Sequence, residues 1–280
     1  MFLSIIILFS GLAQAVIHGE DNRTDTFQSS ALAQKLGRSV PALVQKHRIQ
    51  QIENGKFKLT GTPMQKLGLC QDEIFAEESN IANCSASFIG KDYVLTAAHC
   101  LDERNFKCES YAVVFDYART SIGAFEHVLD ADSVYHCKEI IYSKFDQTLA
   151  SEDLAIIKLD REVKDREPIR LAPDYRLKVG EPLMMIGYPM GISQKAVEGG
   201  KVLSVDRKNV SFRHDVDTFS VNSGGPMFNQ LGNQIGVLVR GTGTNFSGEP
   251  CYRWTVGTSK DYSDSNDLSS LKSILSQLGI

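Results

Sequence analysis

The chain has 280 residues, 42% of them hydrophobic, with 30 Lys and Arg against 34 Asp and Glu and a formal net charge of -4. That length and apolar content suffice for one large core or two smaller ones. The mild charge, spread without a basic stripe or a like-charged block, argues against a nucleic-acid partner and against a charged tail.

Residues 1–15 open the chain as a secretory signal is expected to. Phe2 to Leu12 is mostly apolar, and Ala13-Gln14-Ala15 fits the small-residue cleavage rule, although no Lys or Arg precedes the apolar run. The run is short of the about 20 apolar residues that a spanning helix needs. No other run approaches that length, so the expected product is secreted, extracellular or periplasmic, with Val16 first and no membrane contact after cleavage. Residues 16–69 are polar and mixed, and are expected to pack as an N-terminal segment on the domain that follows. Within them Ala31–Leu36 is amphipathic, and Pro41 turns Ala42-Leu43-Val44 into a short strand rather than part of a helix.

Beyond Cys84 the pattern changes to short β-type runs: Ala86–Ile89, Tyr93–Thr96, Tyr111–Phe115, Lys138–Tyr142, Leu154–Leu159, Pro182–Gly187, Gly200–Val205, Pro226–Phe228 and Gln234–Val239. Glycine, proline and polar turns separate them, as in an all-β sandwich or barrel. Asp160 to Gly180, rich in charge and proline, reads as a linker between two units. From Asp267 to Leu278, Leu268, Leu271, Ile274, Leu275 and Leu278 recur at helical spacing behind an Asp and Ser cap. The expected organisation is therefore one domain over 70–280, with a first unit at about 70–165, a second at about 178–262, and a helix at about 265–279.

Six cysteines in an exported chain predict three disulfides, among 15 connectivities. No Cys or His cluster has zinc spacing, so neither a metal nor another cofactor is expected. Asn22-Arg23-Thr24, Asn83-Cys84-Ser85, Asn209-Val210-Ser211 and Asn245-Phe246-Ser247 are formal glycosylation sequons, meaningful only in a eukaryotic secretory pathway.

Three fragments carry chemistry. Thr96-Ala97-Ala98-His99-Cys100 offers a base. Asp153, in the run Glu152 to Leu159, opens an apolar strand with an acid. Asn222-Ser223-Gly224-Gly225-Pro226 presents a serine in a glycine-rich turn. A serine hydroxyl is a poor nucleophile until a neighbouring base takes its proton. His99 suits that role, with Asp153 holding its imidazole in the useful tautomer; His, Asp, Ser is also the chain order of one known triad class.

With Cys84-Ser85-Ala86-Ser87-Phe88-Ile89 and Val94 to Cys100, these fragments resemble trypsin-like serine peptidases from about Cys84 to Tyr262. Within that family the start Val16-Ile17-His18-Gly19, the segment Asp217-Thr218-Phe219 and Gly236 to Gly241 are similar to the secreted bacterial glutamyl endopeptidases. The resemblance implies two packed antiparallel six-stranded β-barrels of the chymotrypsin type with a C-terminal α-helix. It implies a monomeric endopeptidase acting on protein or peptide substrates through an acyl-enzyme on Ser223. It pairs Cys84 with Cys100; the remaining expected pairs are Cys108–Cys137 and Cys70–Cys251. The oxyanion donors fall on the backbone N–H groups of Val221 and Ser223. Glycine is usual where Val221 stands, so a β-branched residue there implies a strained or flipped peptide. Asn222 replaces the Asp that receives a new α-amine in trypsins, so activation by that ion pair is not expected.

The substrate pocket is expected from Asp217, Thr218, Leu238, Arg240 and Val16. Asp217 stands six residues before the serine, where trypsins keep an acid, and implies cleavage after Arg or Lys unless Arg240 neutralises it. Thr218 and Val16 match the glutamyl enzymes, but Leu238 replaces their histidine. Three rival readings stay open: a glutamyl-specific enzyme, an esterase with the same triad, and a catalytically weak pseudopeptidase that binds a protein.

Overall fold

The computed structural model describes residues 16–101, 108–145 and 152–280, so the expected signal at 1–15 lies outside the described residues. Two antiparallel sheets each curl into a barrel. The first runs Cys84–Ser85, Ala42–Gln45, Tyr111–Val114, Val134–Phe145, Asp153–Leu159, Tyr93–Thr96, Ser87–Gly90 in spatial order. It is nearly closed, because its two edge strands are neighbours in sequence, joined at Ala86. The second runs Lys195–Asp206, Pro182–Gly187, Pro226–Phe228, Gln234–Gly241, Ser263–Asp267, Ser211–His214. It closes where Ser211–His214 pairs back onto Lys195–Asp206.

Strand period two explains the packing. In Asp153–Leu159, Ala155, Ile157 and Leu159 point into the first barrel with Leu43, Phe88, Val94 and Val113. The alternate residues Leu154 and Ile156 face Leu271 and Leu275 near the chain end, where Val237 of the second barrel joins them. The short helix Lys272–Leu278 thus clamps both barrels. Leu177, Met185, Val197, Phe212, Met227 and Ile235 fill the second barrel.

Three boundaries differ from expectation. Ala42–Gln45 is a strand inside the first barrel, paired with Tyr111–Val114 and Cys84–Ser85, so the barrel does not begin at residue 70. Ser263–Asp267 is a strand between Gln234–Gly241 and Ser211–His214, so the second barrel runs past 262. The terminal helix accordingly starts later than 265. A turn at Ser269–Leu271, with Ser269 N–H donating to Asp267 Oδ1 at 2.9 Å, leads into it. Disulfides join Cys84 to Cys100, Cys108 to Cys137, and Cys70 to Cys251. No helix among the described residues is long and apolar enough to cross a membrane.

The N-terminal segment is tied to the second barrel by charge as well as by β-pairing. Arg23–Asp25 adds to the strand Lys195–Asp206. Lys195, almost fully buried, reaches Asp25 at 2.7 Å and Glu78 at 2.8 Å, and Arg119 reaches Asp25 at 2.8 Å. The Arg23 guanidinium lies against Phe219 and Trp254, 4.1 and 4.2 Å from their ring centres.

Candidate active site

The strand Tyr93–Thr96 ends in a single turn, Ala98–Leu101, which carries His99. The Cys84–Cys100 disulfide fastens that turn to the edge strand Cys84–Ser85. Ala155 pairs with Thr96, so Asp153, two residues earlier, runs beside the turn. Its carboxylate binds the histidine twice: His99 N–H donates to Oδ1 at 2.8 Å, and Nδ1 meets Oδ2 at 2.6 Å. Such a bond assigns the proton to Nδ1 and leaves Nε2 as the free acceptor. Both side chains are largely buried, at 12% and 8% exposure, which strengthens the pair against solvent screening. Asp153 N–H in turn donates to Asn266 Oδ1 at 2.8 Å, so the second barrel also positions the acid.

Ser223 lies in a tight turn of the second barrel, packed onto the chain that leads to His99. Ser85 N–H donates to the Ser223 carbonyl at 2.8 Å. A Cβ at Gly224 would collide with the Ser85 carbonyl and Thr96 Oγ1, and φ there is 84°, so only glycine fits. Gly224 N–H donates to Leu238 O at 2.8 Å, and Gly225 N–H to Asn222 O at 2.9 Å. The Ser223 hydroxyl makes no hydrogen bond among the described residues. The turn bearing Ser223, from the second barrel, thus packs against the first-barrel segments that carry Ser85 and Cys100, next to His99.

Val221 adopts φ 74°, a left-handed conformation that costs an L-residue with a Cβ roughly 1–2 kcal/mol. Its own N–H and that of Ser223 have no protein acceptor among the described residues. The carbonyl of Ser220 accepts from Met190 N–H at 2.7 Å, and the Val221 carbonyl from Ser85 Oγ at 3.1 Å. The peptide is therefore strained, as expected from the valine, and its carbonyls are engaged elsewhere. Two unpaired amides remain, the kind of donors an oxyanion needs.

The expected specificity residues are not gathered in an open pocket. Asp217 is buried, and its two oxygens accept from His18 N–H at 2.6 Å and Asn22 N–H at 2.8 Å. Burial pushes its pKa up to about 6 against the lowering effect of those amides. Contrary to the expectation for a pocket acid, Asp217 receives the N-terminal segment and is not a free anion at a pocket floor. Arg240 pairs with Asp264 at 3.1 Å, so it does not neutralise Asp217. Thr218 is fully buried, its Oγ1 2.7 Å from Ser263 Oγ, and Leu238 belongs to the core of the second barrel. Val16 is buried where Cβ atoms on Gly243 or Gly257 would stand, and Ile17 N–H donates to Thr255 O at 3.0 Å. The segment thus runs to Asp217, while buried Asn222 Oδ1 has no hydrogen-bond partner among the described residues.

Ligand-type atoms of Cys84, His99 and Cys100 lie within 4.8 Å of one another. The two sulfurs are bonded to each other and lack the thiolate a metal requires. Ser85, Asn266, Met190 and Asn245 support the site and were not anticipated from sequence. Asn266, Met190 and Asn245 act through a backbone group or an amide and have no local motif, whereas Ser85, which lies in the Cys84–Ile89 motif, acts through its N–H and hydroxyl.

A family model described as a trypsin-like peptidase domain matches residues 84–237. Among curated proteins, the chain is 30% identical over 118 residues to a probable periplasmic serine endoprotease DegP-like from Pseudomonas putida, covering 39% of this chain and 24% of that one. It is 33% identical over 93 residues to Protease Do-like 5, chloroplastic, of Arabidopsis thaliana, covering 30% and 29%. The chain thus spans about a quarter of the length of the curated relatives it matches. Among solved structures, the Vibrio cholerae VesB protease aligns with a TM-score of 0.55 at 17% identity, over 92% of this chain and 67% of that one. Mouse neuropsin, a serine protease of the limbic system, aligns at 0.56 and 16% identity, over 90% and 98%. At such identities these two likenesses speak for the fold alone.

Proposed function

The chain belongs to the family of trypsin-like peptidase domains, and from that premise we propose that it is an exported serine endopeptidase acting on proteins or peptides. The observation that carries the reading is the double hydrogen bond from His99 to Asp153 beside an unengaged Ser223 hydroxyl. In the proposed mechanism Nε2 of His99 takes the Ser223 proton as Oγ attacks the scissile carbonyl. The N–H groups of Val221 and Ser223 receive the developing oxyanion. The imidazolium, stabilised by Asp153, returns the proton to the leaving amine, and a water activated by His99 then hydrolyses the acyl-enzyme.

Export is supported by three disulfides and by the apolar residues 1–15. The preference at the cleaved bond departs from the expected Arg or Lys. Asp217 already accepts two backbone N–H groups, and buried Leu238 supplies no proton-bearing partner for glutamate. We propose a pocket without a charged recognition group.

The test is labelling of the mature protein with a fluorophosphonate, followed by cleavage-site profiling on a peptide library. Labelling and turnover that vanish in Ser223→Ala support the enzyme. Folded protein that takes no label leaves the pseudopeptidase, label without peptide turnover the esterase. Cuts concentrated after Arg and Lys, or after Glu, refute the uncharged pocket alone.

A further inference from the structure

Three successive peptide groups ahead of Ser223 are held by three different parts of the molecule. Ser220 N–H donates to Asn245 Oδ1 at 3.0 Å, and Asn245 Nδ2 donates back to Ser220 Oγ at 2.8 Å. The Ser220 carbonyl is held by Met190 N–H at 2.7 Å, and the Val221 carbonyl by Ser85 Oγ at 3.1 Å. In a trans peptide the C=O and N–H point opposite ways, so the Met190 contact turns Val221 N–H away from the Met190 loop.

Valine resists the arrangement. Turning the Ser220–Val221 peptide over would carry φ of Val221 from 74° to the negative side that a β-branched residue prefers. The same turn would withdraw the Val221 N–H and put a carbonyl oxygen in its place, where it would repel an oxyanion. The Met190 bond to the Ser220 carbonyl opposes that rotation directly, and the two bonds from Asn245 fix the Ser220 end on which the peptide would pivot. Asn245 is well supported for the task. It precedes the hairpin of Phe246–Ser247 and Arg253–Trp254, which the Cys70–Cys251 disulfide and the ion pairs of Arg253 with Asp72 and Glu73 pin to the body of the protein.

We infer that Asn245 is a positioning residue for the oxyanion hole, a clamp on Ser220 that keeps the Val221 N–H presented despite its strained φ. The inference rests on the serine-peptidase reading. Asn245 acts through Ser220 and touches no reacting atom.

The experiment compares Asn245→Ala in the natural background and in the Val221→Gly background, by steady-state kinetics on a peptide substrate with thermal melting as the folding control. Complete loss of an oxyanion donor costs about 10²–10³ in kcat, so a loosened donor is expected to cost about tenfold with KM unchanged. The pH–rate profile stays in place, because the His99–Asp153 pair is untouched. Glycine adopts positive φ freely, so in the Val221→Gly background the same Asn245→Ala change is expected to cost less than about threefold.

Equal losses in both backgrounds, or no loss in either, overturn the inference while leaving the enzyme intact. Wild-type protein without Ser223-dependent turnover defeats the serine-peptidase reading, and the clamp falls with it. If Asn245→Ala fails to fold, Ser220→Ala removes half the clamp without touching the hairpin. Its loss must likewise shrink in the Val221→Gly background, and a loss that does not shrink overturns the inference.

Discussion

In the first barrel, His99 and Asp153 stand at the ends of apolar strands whose buried residues include Val94, Leu95, Leu154, Ala155, Ile156, Ile157 and Leu159. The second barrel and its loops, which carry the turn bearing Ser223, bury polar groups: Ser193, Gln194, Lys195, His214, Asp217, Thr218, Asn222, Ser263, Ser265 and Asn266. The first side is held by close packing, which tolerates small changes of volume gradually. The second side is held by directional bonds, each of which becomes costly when one partner is lost. A close-packed His99–Asp153 pair thus contrasts with a Ser223 turn whose geometry depends on a few specific contacts.

The largest expected effect breaks the first side chemically without touching its packing. Asp153→Asn keeps the shape but favours the wrong His99 tautomer, and kcat is expected to fall about 10⁴-fold with KM little changed. A fall of less than tenfold in steady-state assays would mean that Asp153 does not orient the base. Next in size is the ionic anchor of the second side. Lys195→Met leaves buried Asp25 and Glu78 with Arg119 as their one cationic partner among the described residues, and is expected to cost about 3–5 kcal/mol. Ile157→Val in the first barrel should cost only about 0.5–1.5 kcal/mol. Urea melts of the two variants test the contrast, and equal losses would abolish the distinction between the barrels.

The same difference in materials decides what was legible in the sequence. The apolar strands Tyr93–Thr96, Pro182–Gly187 and Pro226–Phe228 match their expected bounds, because burial writes a hydrophobic pattern. Ser263–Asp267 and Ser211–His214 left no such trace. Ser-Asp-Ser-Asn-Asp reads as a loop, yet Ser263, Ser265 and Asn266 are buried because Thr218, His214 and Asp153 satisfy them. His99, Asp153 and Ser223 were legible as candidates because each sits in a local motif. Asp217 was misread because its partners, the amides of His18 and Asn22, are nearly 200 residues away and carry no side-chain signature.

Asp217 also supplies the smallest and most discriminating test of the polar side. Its pKa stands at about 6 in the folded protein, above the ordinary 3.8, because burial penalises the charged form more than the two amides favour it. The folded state therefore holds the proton more tightly than the unfolded chain. The associated stability is fully present below pH 3.8 and is lost as pH rises through about 6, by about 3 kcal/mol in all. Buried His214, held down to about 3, works in the opposite sense and destabilises the protein as pH falls below 6.5. The two overlap, so the pH curve of the natural protein alone does not separate them, and the difference from Asp217→Asn does. Asparagine offers one acceptor to two amides and is costly at every pH, but it does not titrate. The stability advantage of the natural protein over Asp217→Asn should be largest below pH 3.8 and about 3 kcal/mol smaller by pH 7. An advantage that is flat across that range would mean that Asp217 is charged throughout, and that its two amide bonds outweigh its burial.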